Sequence, residues 1–158
     1  MENVKIIVLV ILLALIMSCS SDKIADNIIG KWQIININIQ SDIQEHRDVS
    51  INSLVKMINN GEITITTEYR KNGEYISEFE YNDGDIKSIY SRGIYHINED
   101  KREIVRTEKY NFNEDNLSLV ESQDTDELKI QVVSITNSKL IINSYKEGVY
   151  TNETLKKQ

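Results

Sequence analysis

The segment "EITITTEYRKNGEYISEFEY", residues 62–81, decides the fold of this chain. Both of its halves alternate between two sets of residues with a period of two, which is typical of strands with one face buried and one face in water. Between the halves, Asn72 and Gly73 form an Asn-Gly pair, and both residues tolerate the positive φ angles of a tight turn. The segment therefore predicts an antiparallel hairpin whose inner face carries Ile63, Ile65, Thr67, Tyr69, Tyr75, Ser77, Phe79 and Tyr81.

Further β-strands are predicted on both sides of this hairpin. The stretch "IIGKWQIININIQ" (28–40) predicts a long β-branched strand before it. Whether 86–98 is one strand bent at Gly93 or two strands stays open, and 117–120 is either a short strand or part of a loop. The count is eight to ten, and regular short strands joined by tight turns predict an all-β sandwich or up-and-down barrel. The remaining predicted strands lie at 102–110, 127–136, 139–147 and 149–156.

One short helix is predicted after the first strand, in "SINSLVKMIN" (50–59). Its apolar residues recur at helical spacing and would form one stripe. Ser50 can cap its start, and Gly61 can end it. The stripe consists of Ile51, Leu54, Val55 and Ile58.

The N-terminus predicts export and lipidation. Twelve apolar residues, 6–17, precede Ser18 and the single cysteine, Cys19. This run is too short to span a bilayer comfortably but suits the apolar region of a signal peptide. "LIMSC" (15–19) resembles the lipobox of bacterial lipoproteins, in which a small residue precedes the cysteine that is acylated. We therefore predict a signal peptide at 1–18, a tether at 19–27 and one domain at 28–158, anchored to a membrane through Cys19.

The order of these motifs resembles that of the lipocalin-like (calycin-type) lipoproteins of Gram-negative bacteria. In "CSSDKIADNIIGKW" (19–32), a lipobox and a short tether precede a G-x-W motif made of Gly30 and Trp32. The resemblance implies an up-and-down antiparallel lipocalin-like barrel, with Trp32 packed across its closed end beneath a base of the last strand, for which Lys156 is the candidate. Ser20 after the cysteine implies outer-membrane retention.

Charge and motif content argue against several classes of function. The net charge is −7, so phosphate attraction does not favour nucleic-acid binding. The two histidines, His46 and His96, lack metal-ligand spacing, and no nucleophile or phosphate-loop motif occurs. We therefore expect no enzyme and no cofactor. A hydrolase with dispersed carboxylates stays open as a third hypothesis, because the many acids offer many pairs.

Tyrosines suggest a ligand site. The chain has eight tyrosines against two phenylalanines, and Tyr69, Tyr75 and Tyr81 share the inner face of the hairpin. Either they fill a solid barrel, or they line a pocket for a small amphipathic ligand, because each combines an apolar ring with a polar tip. The corresponding functions are a carrier or sensor of that ligand, or a filled barrel acting as a protein-interaction, inhibitor or assembly module of the envelope, with an unknown partner.

Acidic residues are predicted to gather at one end of the barrel. In an up-and-down arrangement successive connections alternate between the ends, which places the connections after 40, 81, 120 and 147 together, away from the tether. This rim is either an ordinary solvated surface or a mouth that attracts cations. No metal site is assigned, and the residues that could hold calcium there are Asp83, Asp85, Asp124 and Asp126. The complete predicted set is Asp42, Glu45, Asp48, Asp83, Asp85, Glu121, Asp124, Asp126, Glu127 and Glu147.

Overall fold

The computed structural model describes residues 23–42, 49–82, 87–113, 118–122 and 126–158. Two helices, α1 (Ile24–Ile28) and α2 (Val49–Asn59), accompany nine strands within these ranges. The strands are β1 (Gly30–Ser41), β2 (Ile63–Tyr69), β3 (Glu74–Tyr81), β4 (Lys87–Asn98), β5 (Glu103–Asn113), β6 (Ser118–Glu121), β7 (Glu127–Ile135), β8 (Lys139–Lys146) and β9 (Val149–Lys157).

Eight of these strands close an up-and-down antiparallel barrel, as predicted. The ring runs β1, β2, β3, β4, β5, β7, β8 and β9, and β9 pairs with β1. One edge of β5 pairs with β4, and its other edge is shared by two strands. On that edge, Glu103–Thr107 pair with β7 and Tyr110–Asn113 pair with β6. β6 (Ser118–Glu121) is therefore a short strand beside the ring, and β4 (Lys87–Asn98) is one continuous strand.

The first strand contains a β-bulge that explains its crowded isoleucines. Trp32, Ile34 and Ile37 are buried, and the register against β9 shifts between Ile34 and Asn36. The extra residue turns Ile35 outward, where 46% of it is exposed. Trp32 and Ile34 before the bulge and Ile37 after it therefore all face the core, although the first two have even numbers and the third has an odd number.

A glycine allows β4 to continue through its irregular part. The register between β4 and β5 shifts at Gly93, where the two backbones approach closely. A Cβ atom on Gly93 would lie 2.1 Å from the Thr107 carbonyl oxygen and 2.9 Å from Cε1 of Tyr75. Only glycine leaves room for both neighbours at this position. One strand therefore spans the region that the sequence allowed to be read as either one strand or two.

Helix α1 lies at the end of the barrel where the chain enters. Ile24 and Ile28 are fully buried, and the Glu99 carboxylate accepts hydrogen bonds from the backbone N–H groups of Ile24 at 3.2 Å and Ala25 at 2.8 Å. Residues 24–27, assigned to the tether from the sequence, thus belong to the folded domain. The predicted signal peptide and Cys19 lie outside the described residues.

Trp32 is fully buried at this end, as predicted from the G-x-W motif. Its Nε1 donates a hydrogen bond to the Ile28 carbonyl at 2.6 Å, and the Lys157 ammonium lies 5.1 Å from the centre of its ring. The base is therefore Lys157, and the prediction of Lys156 is wrong because Lys157 is the residue in register with Trp32. Gly30 has φ of +127°, and a Cβ there would lie 2.7 Å from Cε of Lys157.

Helix α2 lies at the opposite end and contacts β1 and β2. The Asn59 side chain pairs with the backbone of Ile37, accepting its N–H at 2.9 Å and donating to its carbonyl at 3.1 Å. Ile58 is buried and Val55 packs against the core, as the predicted stripe requires, but Leu54 is 41% exposed. The side chains of Ser50 and Ile51 lie outside the described residues.

The strand directions confirm the predicted alternation of the connections. The turns at 70–73, 99–102 and 136–138 lie at the α1 end, and the β8–β9 turn lies at the α2 end. There Asp42 donates its backbone N–H to the Gly148 carbonyl at 2.9 Å, beside Glu147. Acidic residues are not confined to this end, however, because Glu99 and Asp100 occupy a turn at the α1 end.

Candidate ligand site inside the barrel

The barrel interior changes from apolar to polar along its axis. Its α1 half is filled by fully buried side chains, which form a packed base. Toward α2, the inward positions of β2 to β5 and β9 carry hydroxyl and charged groups. We call these groups the polar layer. Its members are Thr67, Tyr69, Tyr75, Ser77, Tyr90, Ser91, Arg106, Glu108, Thr151 and Glu153. The buried residues of the base include Trp32, Ile104, Ile130, Ile135, Leu140 and Leu155.

Arg106 is the cation of the polar layer. It lies in register between Tyr95 of β4 and Leu128 of β7. Its Cζ atom is 4.9 Å from the centre of the Tyr69 ring and 5.0 Å from that of Tyr75, and its Nη2 donates to the Tyr69 hydroxyl. Its Nε is buried without a hydrogen-bond partner among the described atoms. Burying a cation without a full set of acceptors is costly, so this nitrogen marks an incomplete environment.

Hydroxyl groups complete the polar layer on β2, β3 and β4. The Tyr75 hydroxyl lies 3.2 Å from Oγ of Ser91, which in turn donates to the Glu108 carboxylate at 2.8 Å. The hydroxyls of Thr67 and Ser77 are 2.9 Å apart and buried. The Tyr90 hydroxyl also bonds to Ser77, and burial raises the pKa of Tyr90 to about 12. These groups remain neutral donors and acceptors at ordinary pH.

Glu153 of β9 carries a half-buried carboxyl group that faces this interior. Thr151 donates its hydroxyl to it at 3.4 Å. Burial raises the pKa of Glu153 above its ordinary value, against the opposing attraction of Arg106. Burial alone would lower the pKa of Arg106, but its tyrosine neighbours hold that pKa above its usual value. The guanidinium is therefore permanently charged, whereas the Glu153 carboxylate is disfavoured by its surroundings.

We expect Glu153→Gln to flatten the pH dependence of stability. A raised folded-state pKa means that the stability linked to Glu153 is fully present below its unfolded-state pKa and is lost as pH rises through the folded-state value. Glutamine keeps the neutral state, so the variant should match the parent near about pH 4 and exceed it near about pH 7 in free energy of unfolding. Urea unfolding across this range measures the difference.

The exposed Glu127 offers the matched control. Glu127→Gln removes one carboxylate from the same sheet without removing a buried one. Its unfolding curve should therefore change with pH as that of the parent does. Parallel pH profiles for Glu153→Gln and the parent would contradict the assigned environment of Glu153.

An apolar pocket of about 320 Å³ lies at the α2 end of the barrel. Phe79 packs edge-on against Tyr81, with ring centres 5.9 Å apart, and lies 6.4 Å from Tyr90. A second pocket of about 310 Å³ shares Tyr81 and is lined also by Met57, Glu62 and Asn82. The first pocket is lined by Leu54, Ile63, Ile65, Phe79, Tyr81 and Tyr90.

Tyr90 connects this pocket with the polar layer. Its ring lines the apolar pocket, whereas its hydroxyl bonds to Ser77 and senses the charge of Arg106. The register shift between β3 and β4 beside this residue allows both Tyr90 and Ser91 to face inward. An apolar chamber and a cationic floor therefore follow one another along the barrel axis.

The three predicted ligand tyrosines divide between these two regions. Tyr69 and Tyr75 face each other across β2 and β3 and both contact Arg106. Tyr81 pairs with Ile63 at the other end of the hairpin and lines the pocket. Sequence reasoning did not identify Arg106, Tyr90 or Glu153. The available signal for Arg106 was its alternation with Ile104, which gives a charged residue the parity of a buried one.

The predicted cation-binding aspartates find no support in the described residues. Asp126 is exposed, and Asp83, Asp85 and Asp124 lie outside the described ranges. Within those ranges, no group of three histidine, cysteine or acidic side chains could hold a metal ion. Nor does the described part of the chain contain a helix long and apolar enough to cross a bilayer.

No protein-family model matches this chain, and a search of curated proteins found no relative. The lipocalin-like resemblance therefore rests on the residues that carry it.

Proposed function

We propose that this protein is an exported lipoprotein, anchored to the bacterial outer membrane through Cys19, that binds a small amphipathic molecule in its barrel. The apolar pocket that adjoins the polar layer through Tyr90 is the observation that supports ligand binding most directly. Ligand sites are typically apolar cavities with a few convergent polar groups. The proposed role is non-enzymatic and needs no cofactor.

Filling the pocket should abolish binding. Native mass spectrometry of the full-length protein, released gently from membranes, should show a co-purified small molecule. Ile65→Trp places a large ring in the pocket and should remove this adduct, whereas Tyr150→Trp changes an exposed outer-face position and should retain it. A protein without an adduct that also binds no amphiphile added afterwards would contradict the proposal.

A second candidate function is protein interaction through the outer surface. Tyr145 and Tyr150 pair across β8 and β9, and they are 60% and 38% exposed. Exposed aromatic side chains are enriched at protein interfaces. A photo-crosslinking residue at position 145, with position 139 on the same strand as control, would capture an envelope partner if this function is correct. Equal, diffuse labelling from both positions would contradict it.

A further inference from the structure

We propose that the polar layer binds the anionic head group of the ligand, a carboxylate, and that Arg106 is the residue that pairs with it. This inference rests on the proposed function and names the chemical class of its ligand. It predicts an amphiphile that enters with the charged group first and leaves its apolar chain at the α2 end.

The unsatisfied guanidinium is the first argument. Arg106 gives one hydrogen bond to Tyr69 and is flanked by two aromatic rings, yet its Nε stays buried without a partner among the described atoms. Guanidinium N–H groups form a planar fork that matches the two oxygens of a carboxylate. A bound carboxylate would supply the missing acceptor and compensate a charge that the fold has already removed from water.

The charge balance of the layer is the second argument. Arg106 is accompanied by two carboxyl groups, Glu108 and Glu153, of which Glu108 accepts a bond from Ser91 and Glu153 accepts one from Thr151. Neither forms an ion pair within 4.0 Å of Arg106 among the described contacts. Because burial favours the neutral form of Glu153 and neither acid pairs directly with Arg106, the guanidinium is available to pair with one negative charge of a ligand. A cationic head group would leave the Arg106 charge opposed by a like charge.

The order of the two regions is the third argument. The pocket lining is aliphatic and aromatic, and Arg106, in register with Tyr95 of β4, lies closer to the α1 end of the barrel than Tyr90 does. If the charged head group of a ligand stayed at the α2 end of the pocket, it would not reach the N–H donors of Arg106. The volume of about 320 Å³ is at the lower end of the range of ligand pockets, about 300 to 1,000 Å³, which favours a short apolar chain.

The test compares three probes that share one chain and differ in the head group: octanoate, octanol and octylamine. Each is titrated by calorimetry into the full-length protein in lipid nanodiscs, with empty nanodiscs as the blank. Octanoate should bind about tenfold or more tightly than octanol, because a hydrogen-bonded charge contributes about 1.5–3 kcal/mol. Octylamine should bind more weakly than both.

Arg106→Gln should remove this preference, reducing octanoate affinity about tenfold or more while leaving octanol affinity within about twofold. Arg106→Lys should recover only part of the loss, because an ammonium cannot form the planar fork. Arg92→Gln is the matched control, since Arg92 lies on the outer face of β4, 3.8 Å from Glu74, and should leave both affinities unchanged.

The outcomes separate this inference from the function on which it rests. Octanol binding as tightly as octanoate, or octanoate binding unaffected by Arg106→Gln, would overturn the carboxylate assignment and leave a neutral ligand. No binding of any probe would contradict both proposals. Circular dichroism checks the fold of each variant, and if Arg106→Gln does not fold, the octanoate-to-octanol ratio of the unaltered protein decides.

Discussion

Replacing Trp32 by alanine is expected to lower the free energy of unfolding by about 3–5 kcal/mol, the cost typical of emptying a large buried site. Trp32 is fully buried where α1 closes the barrel, so its removal opens a cavity beneath Ile24 and Ile28. It also leaves the Ile28 carbonyl without its donor and Lys157 without the ring beneath it. A domain of this size is only marginally stable, so this loss would remove a large part of its stability.

Trp32→Phe separates packing from hydrogen bonding. Phenylalanine retains most of the apolar contact but cannot donate to Ile28, and should cost about 1–3 kcal/mol. Because Trp32 is the only tryptophan, unfolding of these variants is followed in urea by far-ultraviolet circular dichroism rather than by fluorescence. A loss below about 1 kcal/mol for Trp32→Ala, ordinary for a surface site, would contradict the assignment of Trp32 to the core.

The hairpin at 62–81 shows which parts of a barrel a sequence can predict. Its two strands, Ile63–Tyr69 and Glu74–Tyr81, alternate without interruption, so the inner face follows directly from parity. Parity fails wherever a bulge inserts one residue, as at Ile35, and the sequence does not indicate which residue is extra. Tyr90 was overlooked as a site residue for this reason, because its inward position depends on a register shift against β3.

The register between distant strands is the second kind of information that the sequence lacks. Trp32 meets Lys157 rather than Lys156 because the first and last strands pair in one particular register, and a slip of one residue moves every side chain to the other face. The alternation of connections between the two ends needed no register, and it was predicted correctly. Topology thus followed from strand order, whereas individual contacts did not.

The candidate site was predicted only in part, because its charges break the pattern that identifies buried residues. Tyr69 and Tyr75 were found because aromatic residues satisfy the apolar parity of the hairpin. Arg106 and Glu153 occupy the same interior, yet charged residues on strands are usually assigned to the wet face. Their shared interior position becomes apparent when the eight strands of the ring close around them.

Replacing Cys19 by alanine should abolish membrane anchoring. The proposal that Cys19 is acylated after cleavage behind Ser18 rests on the twelve apolar residues before it and on its being the only cysteine. Several acyl chains on one residue give stable anchoring, whereas one chain gives only reversible binding. We expect the mature parent protein to begin at Cys19, to carry the mass of its acyl chains and to sediment with membranes.

The Cys19→Ala variant should lack this acyl mass and no longer fractionate with membranes, while Ser21→Ala, two residues further along, should behave as the parent does. Cys19 precedes α1, whose Ile24 is the first residue buried in the described fold, so the free energy of unfolding should not change. Sedimentation, mass spectrometry of the N-terminal peptide and urea unfolding test the three expectations separately. A parent protein that keeps residues 1–18, or that carries an unmodified Cys19, would contradict the lipoprotein assignment. It would leave the barrel and its ligand site unaffected, because those depend only on residues from Ile24 onward.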